Sequence, residues 1–358
     1  MAIVRGAAGS TFTAEERERS RRYHQPLYRA LGFDLVLGLG TLAALAAFAE
    51  WRVGPWWLAA AVFAAAAVWL STLVRLPLIV WRGYLHERRW GFSTQSSRGF
   101  AGDIFRKLLV ASVFAAVPVT GIVGLARAFP SGWPAVAAPL AALLVLALGL
   151  VAPVVLEPLF NRFAPLEDAE LADDLRRLAT RAGVPVKEVL VADASRRTRK
   201  VNAYVSGIGA TRRVVLYDTL LRDAPRRELE VVVAHELGHR RARHVAKSIA
   251  LGMLGAAAGT LVIWVVLPSP GDPASAPAIL LVISVLQLLA LPFEAALSRR
   301  WEREADRASL ELTGDRDAFR GLHRRLATAN LSDLDPPRWL YRLLFTHPTA
   351  PERIAAAG

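Results

Sequence analysis

Six stretches of this chain are apolar for the length of a bilayer-crossing helix, at roughly 31 to 49, 56 to 81, 108 to 128, 133 to 156, 248 to 267 and 278 to 297. The hydrocarbon core takes about 20 residues of helix, and a segment inside it must satisfy its own backbone polar groups, so the runs predict six transmembrane helices. A mean hydropathy of +0.32 agrees. Asp34 falls in the first run and Arg75 in the second. A charge at that depth faces a bundle interior or a watery cavity, or lies near an interface with its head drawn out to water. Pro77, Pro118 and Pro153 mark expected kinks.

Loop charges give the orientation. The formal net charge is +13, yet the basic residues form no single nucleic-acid-like patch; they cluster between the apolar runs. Segments 1–30, 82–107, 157–247 and 298–358 are rich in Arg, whereas the links "WRVGP", "RAFPSGW" and "PSPGDPASAP" carry at most one each. Alternating sides over six spans places all the Arg-rich segments in the cytoplasm, with both termini there. No cleavable signal is evident, since the first 30 residues are polar and charged. The expected organisation is an N-terminal segment 1–30, four spans over 31–156 with the loop 82–107, a cytoplasmic unit 157–247, two spans over 248–297 and a cytoplasmic tail 298–358.

Segment 157–247 is long enough for a small folded unit. "LEDAELADDLRRLATRAG" has helical spacing and stops at Gly183, after which "KEVLVAD" and "KVNAYVSG" read as strands. "IGATRR" supplies a turn into "VVLYDTLL", predicting a hairpin. Asp223 and Pro225 fit the start of another helix, which carries "HELGH", residues 235 to 239.

His235 and His239 stand four apart, so both imidazoles share one helix face and can meet one ion, while Glu236 can hold a water against it. With no cysteine in the chain, any metal must be held by His, Asp or Glu. A catalytic zinc needs a third protein ligand and one open position. Glu294, Glu302, Glu304, His323 and His347 are the distant candidates. The fifth and sixth spans form a hairpin, with His239 about 13 Å of helix before the fifth and Glu302 about 7 Å beyond the sixth. Glu302 is therefore the better ligand, and Asp306, one turn on, can orient a ligand histidine. Glu304 points away by about 200°. His244, five positions beyond His239, falls near the opposite side of a continuous helix from His235 and is excluded as a ligand, to be solvated or cavity-facing.

At this point the sequence resembles the integral-membrane zinc metalloendopeptidases of the CAAX prenyl protease 1 family. HELGH resembles their HExxH, and "SRRWEREAD" (298 to 306) their SRxxExxAD, with Glu302 on the zinc-ligand position. "NAYVSGIGATRRVVLYDTLL", "PLFNRFAPLED", "RRWGFSTQS" and "THPTAPER" add further matches, so the resemblance covers most of the chain from about residue 85 onward. It implies a mainly α polytopic protein whose membrane helices surround a water-filled chamber, capped by a small α+β zinc-peptidase unit. It further implies that Asn202, Ala203 and Tyr204 belong to an edge strand on which substrate lies as an added strand, and that His347 and Arg353 contact substrate or stabilise the transition state. The eukaryotic members have seven spans, and this chain lacks the extra N-terminal one.

The expected function is membrane-embedded peptide-bond hydrolysis, with one zinc ion per chain on His235, His239 and Glu302 and Glu236 as the base. Its partners are a peptide or membrane-protein substrate and the lipid bilayer, not nucleic acid. A transporter would explain the spans but leave the HExxH without a reason; an inactive metal-binding scaffold would be marked by loss of the base, and Glu236 is intact. The Ala- and Arg-rich composition suggests a bacterial plasma membrane, where prenylated substrates are not expected.

Overall fold

A computed structural model describes residues 11–49, 54–207 and 209–358. The first ten residues of the polar N-terminal segment and most of the "WRVGP" link lie outside them. Six helices among the described residues are long and apolar enough to cross a membrane.

Helix α1, Ala14–Phe48, begins well before its apolar run, because a capping box starts it: Thr13 Oγ1 accepts from Glu16 N at 3.1 Å and Thr13 N donates to the Glu16 carboxylate at 2.7 Å. Helix α2, Trp56–Val80, runs on through a π-helical turn at Trp81–His86, just after Pro77. Helices α3, Ser97–Ala128, and α4, Trp133–Phe160, complete the first four spans. Arg75 and Asp34 resolve their intramembrane charges against each other, 3.6 Å apart between α1 and α2, with Arg75 Nε also donating to the Ser71 carbonyl. Small residues let the bundle close around Ala60, Ala64, Val119, Val123 and Ile279, while Val36, Phe48, Val113, Leu254 and Phe293 stand exposed on its outside. In water such an apolar belt would aggregate; lipid is the solvent that suits it.

The unit that follows has a four-stranded sheet of order β1-β2-β4-β3: Phe163–Pro165, Glu188–Ala192, Ala203–Ser206 and Arg213–Tyr217 are β1 to β4. β3 and β4 form the expected antiparallel hairpin, turned by Gly207 at φ 78, where an added Cβ would strike the Thr211 carbonyl. "DTLL" continues not as strand but as the short helix α6, Asp218–Asp223, after α5, Ala169–Arg181. Asp168 caps α5. Leu171, Leu175, Val214, Leu216, Leu229 and Val233 form the core between this sheet and α7, Arg226–Arg241.

The chain then re-enters the bundle as α8, His244–Val266, and returns as α9, Ala276–Thr313, one 38-residue helix that passes from the bundle into the unit. Helices α10, Arg316–Ala329, α11, Arg338–Leu344, and α12, Ala350–Ala356, close the tail.

Candidate metal centre

The site is made where α7 and α9 cross. Gly238, inside HELGH, eases the crossing: a Cβ there would meet Ala305 Cα and Ala308 Cβ at 3.1 Å, so any larger residue would push the two backbones apart by a few tenths of an ångström. Ser309 Oγ fixes the crossing by donating to the Val231 carbonyl at 2.8 Å. His235 and His239 on α7 thereby face Glu302 on α9.

Three potential ligand atoms converge. His235 Nε2 and His239 Nε2 lie 3.2 Å apart; Glu302 Oε1 is 3.2 Å from His239 Nε2, and Glu302 Oε2 is 3.3 Å from His235 Nε2. Tetrahedral zinc with bonds of 2.0–2.1 Å has ligand–ligand edges of about 3.3–3.4 Å, so the triangle already has the size of one face of such a site. Glu302 Oε2 is buried and makes no hydrogen bond of proper geometry. Arg353, 3.7 Å away, and His235, 3.3 Å away, meet this buried anionic oxygen only at long range, and a bound cation would satisfy it more fully. The residues present fit a divalent metal.

The surrounding carboxylates make the pocket cation-seeking. Burial alone would depress the His235 imidazolium, but hydrogen bonds to Asp306 and Glu302 overcome it and hold its pKa at about 9. Burial likewise opposes ionisation of Glu302, yet His235 and His239 keep its carboxyl far below the usual carboxylate range. Glu236 has the opposite balance: burial pushes its carboxyl up, with His235 and His239 pulling the other way.

Each histidine is oriented from behind. Asp306 Oδ1 lies 2.9 Å from His235 Nδ1, and Asp306 is itself clamped by Arg353, whose Nε donates to Oδ2 at 2.9 Å and whose second nitrogen donates to Oδ1. Arg353 comes from α12, which is set by a second capping box at Thr349, and its side chain is only 11% exposed. His323 sits behind this clamp, its Nε2 3.9 Å from Asp306 Oδ1 and without a hydrogen bond among the described residues; burial first, then Arg353, hold its pKa well below the ordinary value.

His239 has a different support, which sequence reasoning missed. His239 Nδ1 lies 2.9 Å from His244 Nδ1, and His244 Nε2 lies 3.3 Å from Glu304 Oε2. His244 is 3% exposed and stacks on Trp301, with ring centroids 4.8 Å apart. The helical wheel failed because α7 does not run through: Arg243 adopts a left-handed φ of 56, the helix breaks, and α8 starts anew at His244. His244 is thereby folded back toward the site instead of turned away from it. No glycine or asparagine advertises that break.

The other expected residues stand around this centre. His347 Nε2 is 3.3 Å from Glu302 Oε1 on a segment held by Arg299, which donates to the Tyr341 carbonyl at 2.9 Å. Because its side chain is 60% exposed, His347 faces open space beside the ligands. Glu236 lines two cavities, one on each side of α7. The larger, about 1000 Å³, opens into the bundle between α3, α4, α8 and α9, with His239 and His244 at one end and Glu294 on its wall. The smaller, about 350 Å³, is bounded by Asn202, Ala203, His323, His347 and Arg353.

β3 is an edge strand. The Asn202 carbonyl accepts from Tyr217 N, so by alternation the backbone groups of Ala203 and Val205 turn away from β4. Ala203 N donates to its neighbour's Asn202 Oδ1 at 2.9 Å, and the Val205 carbonyl accepts from Arg240. Tyr204 points to the opposite face of the sheet, where it packs with Leu190 and Tyr217.

Comparison with known proteins identifies the family and the fold. Residues 165–358, more than half of the chain, match the sequence profile of peptidase family M48, and residues 25–162 match that of the CAAX prenyl protease N-terminal region, described as five membrane helices. The uncharacterized metalloprotease YhfN of Bacillus subtilis is 33% identical over 301 residues, covering 80% of this chain and 70% of that one. CAAX prenyl protease 1 of Saccharomyces cerevisiae is 32% identical over 188 residues, but only 52% of this chain and 41% of the yeast protein align. The crystal structure of S. mikatae Ste24p superposes with a TM-score of 0.81 over 98% of this chain and 90% of that chain, at 22% identity, and so shares the fold. A profile that spans the sheet, HELGH and the α9 glutamate, joined to a bundle of membrane helices, makes the chain a member of peptidase family M48 and an integral-membrane metallopeptidase.

Proposed function

We propose that His235, His239 and Glu302 hold one zinc ion per chain and that the centre hydrolyses peptide bonds in membrane-associated or C-terminal peptide substrates. The observation that carries this reading is the triangle of ligand atoms with the Glu236 carboxylate beside it, open to cavities on both sides of α7. When bound, the ion supplies Lewis-acid chemistry, activating a water and polarising the scissile carbonyl. Glu236 takes the water's proton and returns it to the leaving amine, a role suited by a carboxyl whose burial raises its proton affinity. Substrate backbone pairs with Ala203 and Val205 at the free edge of β3, displacing the Asn202 and Arg240 side chains that now occupy those groups. His347 Nε2 donates to the oxyanion. Arg353 acts mainly by fixing Asp306, and through it the tautomer of His235.

The apolar wall of the large cavity suits a substrate drawn from the bilayer. The Arg-rich segments support a cytoplasmic side for this machinery and both termini, and the Ala- and Arg-rich composition supports a bacterial plasma membrane. The organisation proposed is membrane helices to about 156, the peptidase unit over 157–247, two more spans to 297 and a tail that brings Glu302, His347 and Arg353, with α4, α8 and α9 each running across a limit.

Two measurements test the reading. Detergent-purified protein stripped with a strong chelator loses hydrolysis of a quenched fluorescent peptide and regains it on addition of one equivalent of Zn²⁺; activity that survives full removal of metal would overturn it. His244→Phe keeps the stack on Trp301 but removes the nitrogen facing His239, and lowers zinc affinity by about 10- to 100-fold in competition with a chromogenic chelator. Unchanged affinity would reduce His244 to packing.

A further inference from the structure

A second cavity, of about 610 Å³, lies apart from the metal centre, where the end of α2, the start of α3 and the loop between β2 and β3 meet. Its position along the membrane normal is set by sequence: Arg82 directly follows the second apolar run and Lys107 directly precedes the third. Both therefore stand at the boundary between hydrocarbon and water, on the face of the bundle that carries the peptidase unit. Arg197 enters the same cavity from that unit.

The charges do not cancel. Asp103 is the one acidic side chain lining the cavity, and it is already engaged, accepting from Gln95 Nε2 at 2.6 Å, from Arg197 at 3.3 Å and from Arg106. Arg82 and Lys107 have no carboxylate partner among the described residues, and Arg197 Nε is buried without an acceptor. Arg82 and Lys107 thus face a space with no anion left to meet them, and Arg197, shared with Asp103, adds a third cation at its wall. Below them the walls change character: Ile79, Leu108 and Ala111 continue the cavity down the α2–α3 seam, with Thr72 the polar residue among them. Cations at the mouth and an apolar channel beneath describe one molecule, with an anionic head and a hydrocarbon tail.

We infer that this cavity binds an anionic phospholipid, its phosphate diester held by Arg82, Lys107 and Arg197 and an acyl chain laid along Ile79, Leu108 and Ala111. A zwitterionic head is disfavoured, because its cation would meet the uncompensated Arg82 and Lys107 with no free carboxylate to receive it. Occupancy would also brace the peptidase unit. The Arg197 carbonyl accepts from Thr94 N at 3.1 Å, and Ser93 bridges Thr198, so the loop that holds Arg197 is tied to the α2–α3 connection just before the Asn202 strand.

The test uses the full chain in a neutral detergent, titrated with phosphatidylglycerol or phosphatidylcholine and read by native mass spectrometry. Wild type retains phosphatidylglycerol in preference to phosphatidylcholine, and Arg82→Gln/Lys107→Gln weakens phosphatidylglycerol binding by about 30-fold, at roughly 1 kcal/mol per basic residue, with phosphatidylcholine unaffected. Lys107→Gln alone, at an exposed position, gives about a fivefold loss and covers the case in which the double variant folds poorly. Equal retention of the two lipids by wild type, or undiminished phosphatidylglycerol binding in the variants, overturns the assignment. Inorganic phosphate is the remaining arm: weak competition supports the lipid, whereas phosphate that binds as tightly as phosphatidylglycerol makes this a site for free phosphate and overturns the lipid.

Discussion

Glu236→Gln keeps zinc at one equivalent per chain and lowers peptide turnover by about 10²- to 10⁴-fold, the span expected when a positioned general base is removed. The two halves of this result have separate structural causes. Metal retention follows because His235, His239 and Glu302 keep their places on α7 and α9, and the amide is nearly isosteric with the carboxyl. Loss of turnover follows because an amide cannot take the water's proton. Metal content by atomic emission and cleavage of a fluorogenic peptide, on the same preparation, read both. Turnover close to wild type would sink Glu236 as the base, and turnover lost together with the metal would place it in the binding shell instead.

Glu302→Ala has the second large effect, on the metal itself. It leaves two imidazoles whose Nε2 atoms stand 3.2 Å apart with no anion between them, and zinc affinity falls by more than the roughly 100-fold upper limit expected of a residue acting through a ligand. The comparison with His244→Phe is therefore informative. A direct ligand must cost more than its support, and competition with a chelator ranks the two on one scale. Stoichiometric zinc at unchanged affinity in Glu302→Ala would remove this residue from the centre.

What could be read in advance depended on how local the physics was. Lipid imposes its demand on every residue of a span, so the six apolar runs stood out and coincide with six long helices. The ends of those helices did not, because the polar residues of α1 from Ala14 carry no hydropathy signal and their start is written only in the Thr13 cap. Glu302 was legible because a membrane hairpin must bring both its ends to one face. His244 was not, since a helical wheel holds only while the helix continues, and the turn at Arg243 depends on tertiary contacts rather than on any residue that favours it. His347 and Arg353 came from resemblance alone: nothing in the tail's sequence reveals that Thr349 and Arg299 will aim it back at α9. β1, three residues long, is created by its neighbour β2 rather than by its own sequence.

Helix α9 carries exposed Phe293 and, nine residues on, buried Glu302, with Pro277 in its first turn and Pro292 in its interior. Its partner ligands belong to α7, which is anchored in the sheet. A bilayer that grows thicker or thinner tilts or shifts a spanning helix at a cost of fractions of a kcal/mol per ångström. The Ser309–Val231 bond and the Gly238–Ala305 crossing are then what holds Glu302 in step with His235 and His239 against that movement. Membrane thickness thus loads a crossing that a soluble peptidase would build without any such load, and the α7–α9 contacts are where that load is borne.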